Sequence, residues 1–556
     1  MIILGLNINH PNASACIIID GKLEFFIEEE RINRLKNWDG FPQNSINECL
    51  KYCNISMSNV DKIVINSDPK SNLKHKIYYM IKNFYNLPLY FDRFDSFLKK
   101  KKSLQQINNK LVNVDHHISH ISSSAYISNF EKAVCLSLDG FGDFCSGAVG
   151  LYDNKNLYIK KRIYFPHSLG VFYHALTQFL GFTNFGDEYK VMGLSGYGKS
   201  TLKSKIYKLI NYDDENFYRL NLKYFNFLKK NYSNENGIPI FNNLYSHKII
   251  EVLGTPRIKS DEITTYHKDL ACSLQSVYEE IFFKILNKLH KDYKIDNLCL
   301  SGGCALNSLA NGKIYDNTNF KNVFVPPYPG DSGGAIGAAM FEYYKNNKSK
   351  DKIDNSSPYL GNSYTDHEIN KSLTLFSHRL KNFKIQHFDE KNKMIKHCAK
   401  LISNNKIIGW FQGRMEAGAR ALGNRSLLAN PSNPNIKEII NSKIKIRENF
   451  RPFAPSILEE YVGEYFENTK KVNYMSMVYK VKKDQSNKIP GVCHVDGTGR
   501  LQTVSKKVNP IFYELINELY SINDIPMVLN TSLNENEPIV MKPEQALDLF
   551  IRTSMD

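Results

Sequence analysis

The stretch ILGLNINHPNASACIIIDGKLEFFI, residues 3–27, decides the fold class of this chain. It predicts three strands, separated by a polar turn and by a second turn at Asp20 and Gly21. The stretch VCLSLDGFGDFCSGAVGLYDNKNLYI, residues 134–159, repeats this order with a Gly-rich first turn. Two such meanders predict two related half-domains. Two unrelated hairpins remain the alternative, because the two stretches share little sequence identity.

Strands alternate with helices further along the chain. Residues 269–290 have apolar positions at helical spacing, which predicts a helix of several turns. The stretches NLCLSGGCALN (297–307) and NVFVPPYPGDSGGAIGAAMF (322–341) each predict a strand, a Gly-rich turn and a helix start. This alternation indicates an α/β fold.

The length of 556 residues predicts two to four domains. Residues 345–366 are polar and rich in turn formers, so we interpret them as a linker. We therefore predict one domain over residues 1–350 and a second α/β domain over residues 367–556. The second contains the predicted strands IIGWFQG (407–413) and PMVLNTS (526–532).

The composition of the chain indicates which kinds of binding partner and which cellular compartment to expect. The net charge is +16, but lysines are scattered and no basic stripe carries interleaved aromatics, so we do not expect nucleic-acid binding. No stretch has the roughly 18 apolar residues of a membrane helix, and the start MIILGLNINH lacks the basic segment of a secretory signal. We therefore expect no membrane partner. The ten cysteines include no CxxC pair, which favours a reducing, cytoplasmic location.

The stretch GLSGYGKS, residues 193–200, matches the phosphate-loop pattern GxxxxGK[ST]. A functional phosphate loop follows a buried strand and opens a helix. The preceding residues FGDEYKVM are charged, so the context argues against a phosphate loop here.

The stretch VDHHISHISSSA, residues 114–125, places His116 and His120 one helical turn apart. Such a pair suits Fe(II) or Zn(II) if carboxylates arrive from elsewhere. Asp139 and Asp331 follow apolar runs in Gly-rich surroundings and are candidates. A metal site and an ordinary surface helix both remain open on this pattern alone.

Arginines are concentrated in residues 413–456, although the chain elsewhere prefers lysine. Arginine forks bind phosphate and carboxylate in a bidentate manner, which favours an anion pocket over a solvated basic face. The cluster comprises Arg414, Arg420, Arg425, Arg447 and Arg451.

Taken together, these motifs resemble the carbamoyltransferase family of the nodulation-protein NodU and tobramycin O-carbamoyltransferase type. The resemblance covers nearly the whole chain. The motifs that carry it include LGLNINHPNASA, EEERINRLKNWDGFP, VDHHISHISSSA, FPHSLGVFYHALTQFLGF, DEYKVMGLSGYG, LSGGCALNSLAN, PPYPGDSGGAIGAA, GRMEAGARALGNRS and KIRENFRPFAPS.

The resemblance implies an actin-like (duplicated ribonuclease H-like) N-terminal domain. It also implies a C-terminal α/β domain similar to the threonylcarbamoyl-adenylate synthase fold. The implied reaction forms carbamoyl-adenylate from carbamoyl phosphate and ATP with Mg(2+). The carbamoyl group then passes to a hydroxyl of a sugar or secondary metabolite. The alternative is a tRNA-modifying (threonyl)carbamoyl transferase. The sequence leaves the oligomeric state open, with a homodimer as one candidate.

The resemblance also assigns roles to individual residues. It implies that Fe(2+) is bound by His116, His120, Asp139 and Asp331, with His117 left out, and that His10 is the base for the acceptor hydroxyl. Contacts to carbamoyl-adenylate are expected from Lys36, Gly140, Gly303 and Asn307. The pocket for carbamoyl phosphate and ATP is expected to comprise Arg414, Arg447, Arg451, Arg500, Asn530 and Thr531. Residues 64–110 and 205–260 are predicted to shape the acceptor pocket.

Overall fold

The computed structural model describes residues 1–82, 110–228, 232–347 and 351–556. The chain divides into two compact units. Unit 1 comprises Met1–Ala310 and Ile314–Ser356, and unit 2 comprises Asn311–Lys313 and Ser357–Asp556. The predicted acceptor-shaping segment 64–110 therefore lies largely outside the described residues, because its residues 83–109 are not among them.

Unit 1 contains two five-stranded sheets with the same strand order. In each sheet the first three strands form an antiparallel meander, and two later strands pair in parallel beside the first. The predicted repeat of three-stranded meanders is confirmed. In spatial order, the strands of the first sheet are Lys22–Glu28, Ser14–Ile19, Ile2–Asn7, Lys62–Ile65 and Leu111–Asn113. The strands of the second sheet, in the same order, are Asn156–Tyr164, Cys145–Asp153, Lys132–Gly142, Asn297–Ser301 and Asn322–Phe324.

Helices and two small hairpins complete unit 1. The predicted helix over 269–290 is observed as Thr265–Tyr293, beginning after Thr264, which caps it together with His267. The hairpins are Ile210–Asp213 with Phe217–Leu220, and Tyr232–Glu235 with Ile238–Phe241. The other α-helices are Glu30–Asn33, Gln43–Tyr52, Leu73–Lys82, His116–Ala125, Leu169–Phe179, Glu188–Ser195, Lys203–Ile206, Ile250–Leu253, Ile314–Asn317 and Gly334–Asn346. The short helix Ser308–Gly312 begins in unit 1 and ends in the segment assigned to unit 2.

The helices His116–Ala125 and Gly334–Asn346 pack together without room for an intervening side chain. A Cβ atom on Gly337 would lie 1.8 Å from the backbone oxygen of Ser119. A Cβ atom on Gly5 of the first strand would lie 2.2 Å from the backbone oxygen of Ala335. Glycine is required where backbones approach this closely, so these contacts fix both helices relative to the first sheet.

Unit 2 is built around one mixed five-stranded sheet. Its apolar core includes Trp410, Leu428 and Val528 from the strands, covered by the helices Lys391–Ser403 and Pro510–Asn523. In spatial order the strands are Ile408–Phe411, Arg425–Ala429, Met527–Ser532, Ala454–Leu458 and Gln502–Val504. A separate pair is Val478–Lys480 with Thr498–Arg500, and the remaining helices are Asp366–Leu375, Ile436–Lys443, Val462–Tyr465 and Pro543–Arg552.

The structure agrees with the argument against a phosphate loop at residues 193–200. Gly193 lies inside the helix Glu188–Ser195, and the residues just before that helix are not a strand. Among the described residues, no helix combines the length and the apolarity needed to cross a membrane. The fold is a mixed α/β arrangement of several sheets, as predicted at the level of class.

Candidate functional site

Two imidazoles meet at the start of the helix His116–Ala125. Asp115 caps this helix by accepting the backbone N–H of Ile118 at 3.0 Å, and His116 and His120 lie one turn apart. Both side chains are 1% exposed, and their Nε2 atoms are 3.0 Å apart. The predicted helical spacing therefore brings both ring nitrogens to one point.

Two carboxylates reach the same point. An Asp139 oxygen lies 3.2 Å from Nε2 of His116 and 3.0 Å from Nε2 of His120. Oδ1 of Asp331 lies 3.5 Å and 3.3 Å from the same two atoms. The strand containing Asp139 continues to Gly142 rather than ending at Asp139, and Asp331 opens the turn before the helix Gly334–Asn346.

The four side chains fit the donor set of a divalent transition metal. One donor atom from each of His116, His120, Asp139 and Asp331 lies within 4.8 Å of the others. The two Nε2 atoms, 3.0 Å apart, are close enough together for both to lie about 2.1 Å from one shared ion. Oδ1 of Asp331 is buried, and its nearest polar neighbours in the group are the two imidazole nitrogens at 3.3 and 3.5 Å. Two nitrogens with two oxygens suit Fe(II) or Zn(II).

The charges within this group are strongly coupled. Burial lowers the pKa of His120, but the hydrogen bonds and charges of Asp139 and Asp331 outweigh burial and raise it to about 10. Burial opposes ionisation of Asp139, yet hydrogen bonds from His116 and His120 hold its pKa well below the usual range. Burial and the charge of Asp139 raise the pKa of Asp331. A cation held between these groups would replace the shared protons.

His117 and His10 flank the group without joining it. Nδ1 of His117 lies 2.9 Å from the hydroxyl of Ser137, and burial followed by the charges of His116 and His120 lowers the pKa of His117 to about 3. His10 lies in the turn after the first strand, with its ring centroid 4.9 Å from that of His116. The structure thus places the predicted base beside a predicted metal ligand.

Gly142 and Asp143 support His116 and were not predicted from the sequence. A Cβ atom on Gly142 would lie 2.1 Å from the His116 ring, so only glycine leaves space for it. Asp143 accepts the backbone N–H of His116 at 2.9 Å and that of Asp68 at 2.7 Å. The Gly-rich turn DGFGD could have indicated that these two residues matter. The hydrogen bond between Asp143 and Asp68 could not have been predicted, because the two residues are far apart in the sequence.

The residues predicted to contact carbamoyl-adenylate are only partly brought together. The Gly303 N–H donates to Asp139 at 2.9 Å, and a Cβ atom on Gly140 would meet nothing within 4 Å, so open space lies beside it. Asn307 exchanges two hydrogen bonds of 3.0 Å with Gln275. Lys36 lies in an exposed turn after the helix Glu30–Asn33.

The buried guanidinium of Arg500 in unit 2 is subject to the charges of two other arginines. Burial, followed by the charges of Arg420 and Arg447, holds the pKa of Arg500 well below its ordinary value. Nε of Arg500 is buried without a hydrogen-bond acceptor among the described residues. Arg447 is fixed by a 2.7 Å bond from its Nε to the side chain of Asn441. We call Arg420, Arg447 and Arg500 the arginine cluster; mutual repulsion of this kind favours a bound anion.

The remaining predicted pocket residues have identifiable partners. Arg414 donates from Nε to the backbone oxygen of Gly361 at 3.1 Å, and Arg451 pairs with Glu448 at 2.7 Å. Thr531 is partly buried in the strand Met527–Ser532, next to Asn530, which is 1% exposed.

Arg425 was predicted to belong to the anion pocket, and the structure contradicts this. Its side chain is fully buried, and it donates to the backbone oxygens of Gln412, Gly413, Asn424 and Asn362. Its guanidinium also lies 3.7 Å from the centroid of the Phe411 ring. Arg425 is therefore a structural residue that holds the loop 412–424. The sequence pattern cannot separate a buried arginine from a pocket arginine of the same segment.

The two halves of the chain match two family models. The model described as the carbamoyltransferase N-terminus matches residues 2–340, and that of the carbamoyltransferase C-terminus matches residues 399–556. The chain belongs to the carbamoyltransferase family. The predicted resemblance is thereby confirmed, and the protein is a carbamoyltransferase.

Relatives of this carbamoyltransferase align over nearly its full length. Nodulation protein NolNO of Sinorhizobium fredii is 33% identical over 98% of this chain and 77% of its own length. An uncharacterized protein of Synechocystis is 32% identical over 100% of this chain and 95% of its own. The crystal structure of T. kodakarensis HypF aligns with 15% identity over 64% of this chain and 48% of that one, at a TM-score of 0.31. A TM-score this low does not establish a shared fold.

Proposed function

We propose that this carbamoyltransferase is an ATP-dependent O-carbamoyltransferase acting on a sugar or secondary metabolite. The observation that carries the proposal is the arginine cluster of unit 2, in which the buried Nε of Arg500 has no acceptor among the described residues and the charges of Arg420 and Arg447 act on this guanidinium. Carbamoyl phosphate and ATP are both polyanions, so a step that joins them requires several fixed cations.

The first step takes place in unit 2. Hydrolysis of carbamoyl phosphate gives carbamate and inorganic phosphate. A carbamate oxygen then attacks the α-phosphate of ATP, and pyrophosphate leaves as carbamoyl-adenylate forms. The arginine cluster neutralises the phosphate oxygens, and Arg414 and Arg451 complete the pocket. Mg(2+) accompanies the nucleotide.

The second step takes place in unit 1. The acceptor hydroxyl attacks the carbonyl of carbamoyl-adenylate, its proton passes to the imidazole of His10, and AMP leaves with the bonding electron pair. His116, His120, Asp139 and Asp331 would hold Fe(2+), which when bound would bind the phosphate and polarise the carbonyl. The 4.9 Å separation of the His10 and His116 rings supports this arrangement.

The folds of the two units accord with this division. The repeated sheet order in unit 1 supports an actin-like domain, and the mixed sheet of unit 2 is assigned to the threonylcarbamoyl-adenylate synthase type on the family resemblance. The predicted Fe(2+), the homodimer and the hydroxyl acceptor stay predictions.

The test is incubation of the purified chain with ATP, Mg(2+) and carbamoyl phosphate. Pyrophosphate should form, and AMP should follow when a hydroxylated acceptor is added. If no pyrophosphate is released with carbamoyl phosphate present, the adenylate route is wrong. Omission of carbamoyl phosphate is the control, because it leaves ATP without a partner.

A further inference from the structure

The turn that carries His10 is tied together by the side chain of Asn7. Asn7 ends the first strand, and His10 lies in the turn between it and the next strand, which begins at Ser14. The Asn7 Nδ2 group donates to the backbone oxygens of Pro11 at 3.2 Å and Asn12 at 3.0 Å. These two bonds close the turn immediately after His10, so they fix the backbone that carries the imidazole.

Two further asparagines of this turn adopt left-handed backbone conformations, with φ of 53° at Asn9 and 59° at Asn12. Such conformations are uncommon for residues other than glycine, and asparagine is among those that tolerate them best. They persist where surrounding contacts determine the backbone. The bond from Asn7 to the Asn12 oxygen is such a contact, so loss of the Asn7 side chain would let the turn relax.

A second buried asparagine orients the first. Asn66 directly follows the strand Lys62–Ile65, and its Nδ2 group donates to Oδ1 of Asn7 at 2.9 Å. Both asparagines are 0% exposed. The Asn7 atom that faces two backbone oxygens is nitrogen, so the atom that faces Asn66 is oxygen, and Asn66 must present its own nitrogen. The Oδ1 atom of Asn66 is then left without a partner among the described residues, which indicates that this amide is retained for Asn7 rather than for stability.

The same amide lies against the segment 332–334, which directly follows a predicted metal ligand. A Cβ atom on Gly334 would lie 2.4 Å from Nδ2 of Asn66, so the glycine leaves space for the amide. The hydroxyl of Ser14 donates to the backbone oxygen of Ser332 at 2.8 Å. The Asn66 amide and the residue that ends the turn therefore both contact this segment, which fixes the turn relative to the metal group.

We infer that Asn7 and Asn66 are positioning residues that hold His10 at its distance from the metal group during carbamoyl transfer. The inference rests on the proposed function, because it takes His10 as the base for the acceptor hydroxyl. The ring centroids of His10 and His116 are 4.9 Å apart. A base must lie within hydrogen-bond reach of the hydroxyl whose proton it takes, and a displacement of about 1 Å can lower a rate by about 10²-fold.

Glycerol in excess is the probe acceptor, because it is small and carries the hydroxyl group that the proposed reaction needs. The chain is incubated with ATP, Mg(2+) and radiolabelled carbamoyl phosphate, and carbamoylated glycerol and pyrophosphate are measured separately. Asn7→Ala should lower kcat for transfer by roughly 10- to 100-fold and leave KM for glycerol unchanged, because only the base is displaced. Asn66→Ala should act in the same direction by roughly tenfold. The initial release of pyrophosphate should stay at the wild-type rate in both variants.

Asn355→Ala is the matched control. Asn355 is also buried and also binds a turn of the first meander, since it accepts the Leu23 N–H at 2.8 Å and donates to the Gly21 oxygen at 3.0 Å. That turn lies at the opposite end of the strands. Because the two turns are separate, transfer by Asn355→Ala should stay within about twofold of wild type.

A double substitution separates positioning from a general loss of structure. In a His10→Ala background, Asn66→Ala should cause no further loss of transfer, because the group that it positions is absent. A general loss of structure would lower the residual rate in that background as well. An equal loss with and without His10 therefore overturns the inference, and so do wild-type transfer rates in Asn7→Ala and Asn66→Ala.

The outcomes also separate this inference from the proposed function. If the wild-type chain forms pyrophosphate and carbamoylated glycerol, the proposed function survives failure of the asparagine variants to behave as expected. Pyrophosphate without carbamoylated glycerol contradicts the inference and the second step alone. Absence of both products contradicts both proposals. Should Asn7→Ala not fold, Asn66→Ala decides the inference, because it leaves the bonds from Asn7 to the turn in place.

Discussion

The Nε2 atom of His120 lies 3.0 Å from the Nε2 atom of His116, so two buried imidazoles meet at the atoms through which histidine binds metals. The two nitrogens can share at most a proton, whereas a cation would satisfy both together with the nearby carboxylates. His117 lies next to them but turns to Ser137 instead. These different orientations give neighbouring histidines different expected roles.

We expect His120→Ala to lose bound iron and His117→Ala to keep it. The first change removes one of four donors, and the second removes a side chain outside the group. Elemental analysis of the purified variants measures the metal per chain. Loss of metal from His117→Ala with retention in His120→Ala would show that the donor set is assigned wrongly.

Gly142→Ala should weaken metal binding by roughly 10- to 100-fold, the usual effect of disturbing a residue that orients a ligand. The added methyl group would lie 2.1 Å from the His116 ring and must displace it. Gly140→Ala is the matched control, since its methyl group meets no atom within 4 Å. Metal titration followed by calorimetry compares the two. Equal affinities would mean that the His116 ring shifts without effect on the group.

His10→Ala should stop transfer while leaving pyrophosphate release intact, because His10 acts only after carbamoyl-adenylate exists. A loss of roughly 10²- to 10⁴-fold in transfer rate is typical for removal of a general base. Arg451→Ala should abolish pyrophosphate release itself. Separate assays of pyrophosphate and carbamoylated product distinguish the two. If both variants lose both steps equally, the division of labour between the units is contradicted.

Arg425→Lys should lower the free energy of unfolding of unit 2 by about 2–4 kcal/mol, because lysine cannot donate to the four backbone oxygens that Arg425 serves. Arg379→Lys is the control, as Arg379 forms an exposed ion pair with Asp548 and should change stability by less than about 0.5 kcal/mol. Denaturant unfolding measures both. A near-zero effect of Arg425→Lys on the free energy of unfolding would contradict the structural role assigned to Arg425.

Glu188→Gln should reduce stability most at neutral pH. Glu188 contacts Nδ1 of the buried His174, and although burial raises its pKa, the charge and hydrogen bond of His174 hold the pKa below its ordinary value of 4.5. A depressed pKa contributes stability above pH 4.5, and this contribution is lost as the pH falls through the folded-state pKa. Thermal melts of wild type and variant should therefore differ at about pH 6–7 and converge near about pH 3. A constant difference across this range would contradict the coupling.

Local patterns predicted much of the fold and the meeting of His116, His120, Asp139 and Asp331. Strict strand–turn alternation revealed the repeated meanders, and the i, i+4 spacing placed His116 and His120 on one helical face. Asp139 and Asp331 were found because Gly-rich strand ends tend to open onto clefts. Each of these signals is contained within a few consecutive residues.

Long-range contacts could not be read in this way. Asp143 became important only because the fold places residue 68 beside the start of a later helix. Arg425 was misassigned because its partners are backbone oxygens of Gln412, Gly413, Asn424 and Asn362, which carry no sequence signal. The sequence also could not show that Asn307 is engaged by Gln275, which is 32 positions away.

The repeated sheet order has a consequence for how such a centre can arise. The two histidines lie along the chain after the last strand of the first sheet, Asp139 belongs to the second sheet, and Asp331 follows the last strand of the second. Neither copy of the repeat contains all four donors. A chain with only one of the two sheets would lack a complete set, so the four-residue group depends on both copies being folded in the same unit.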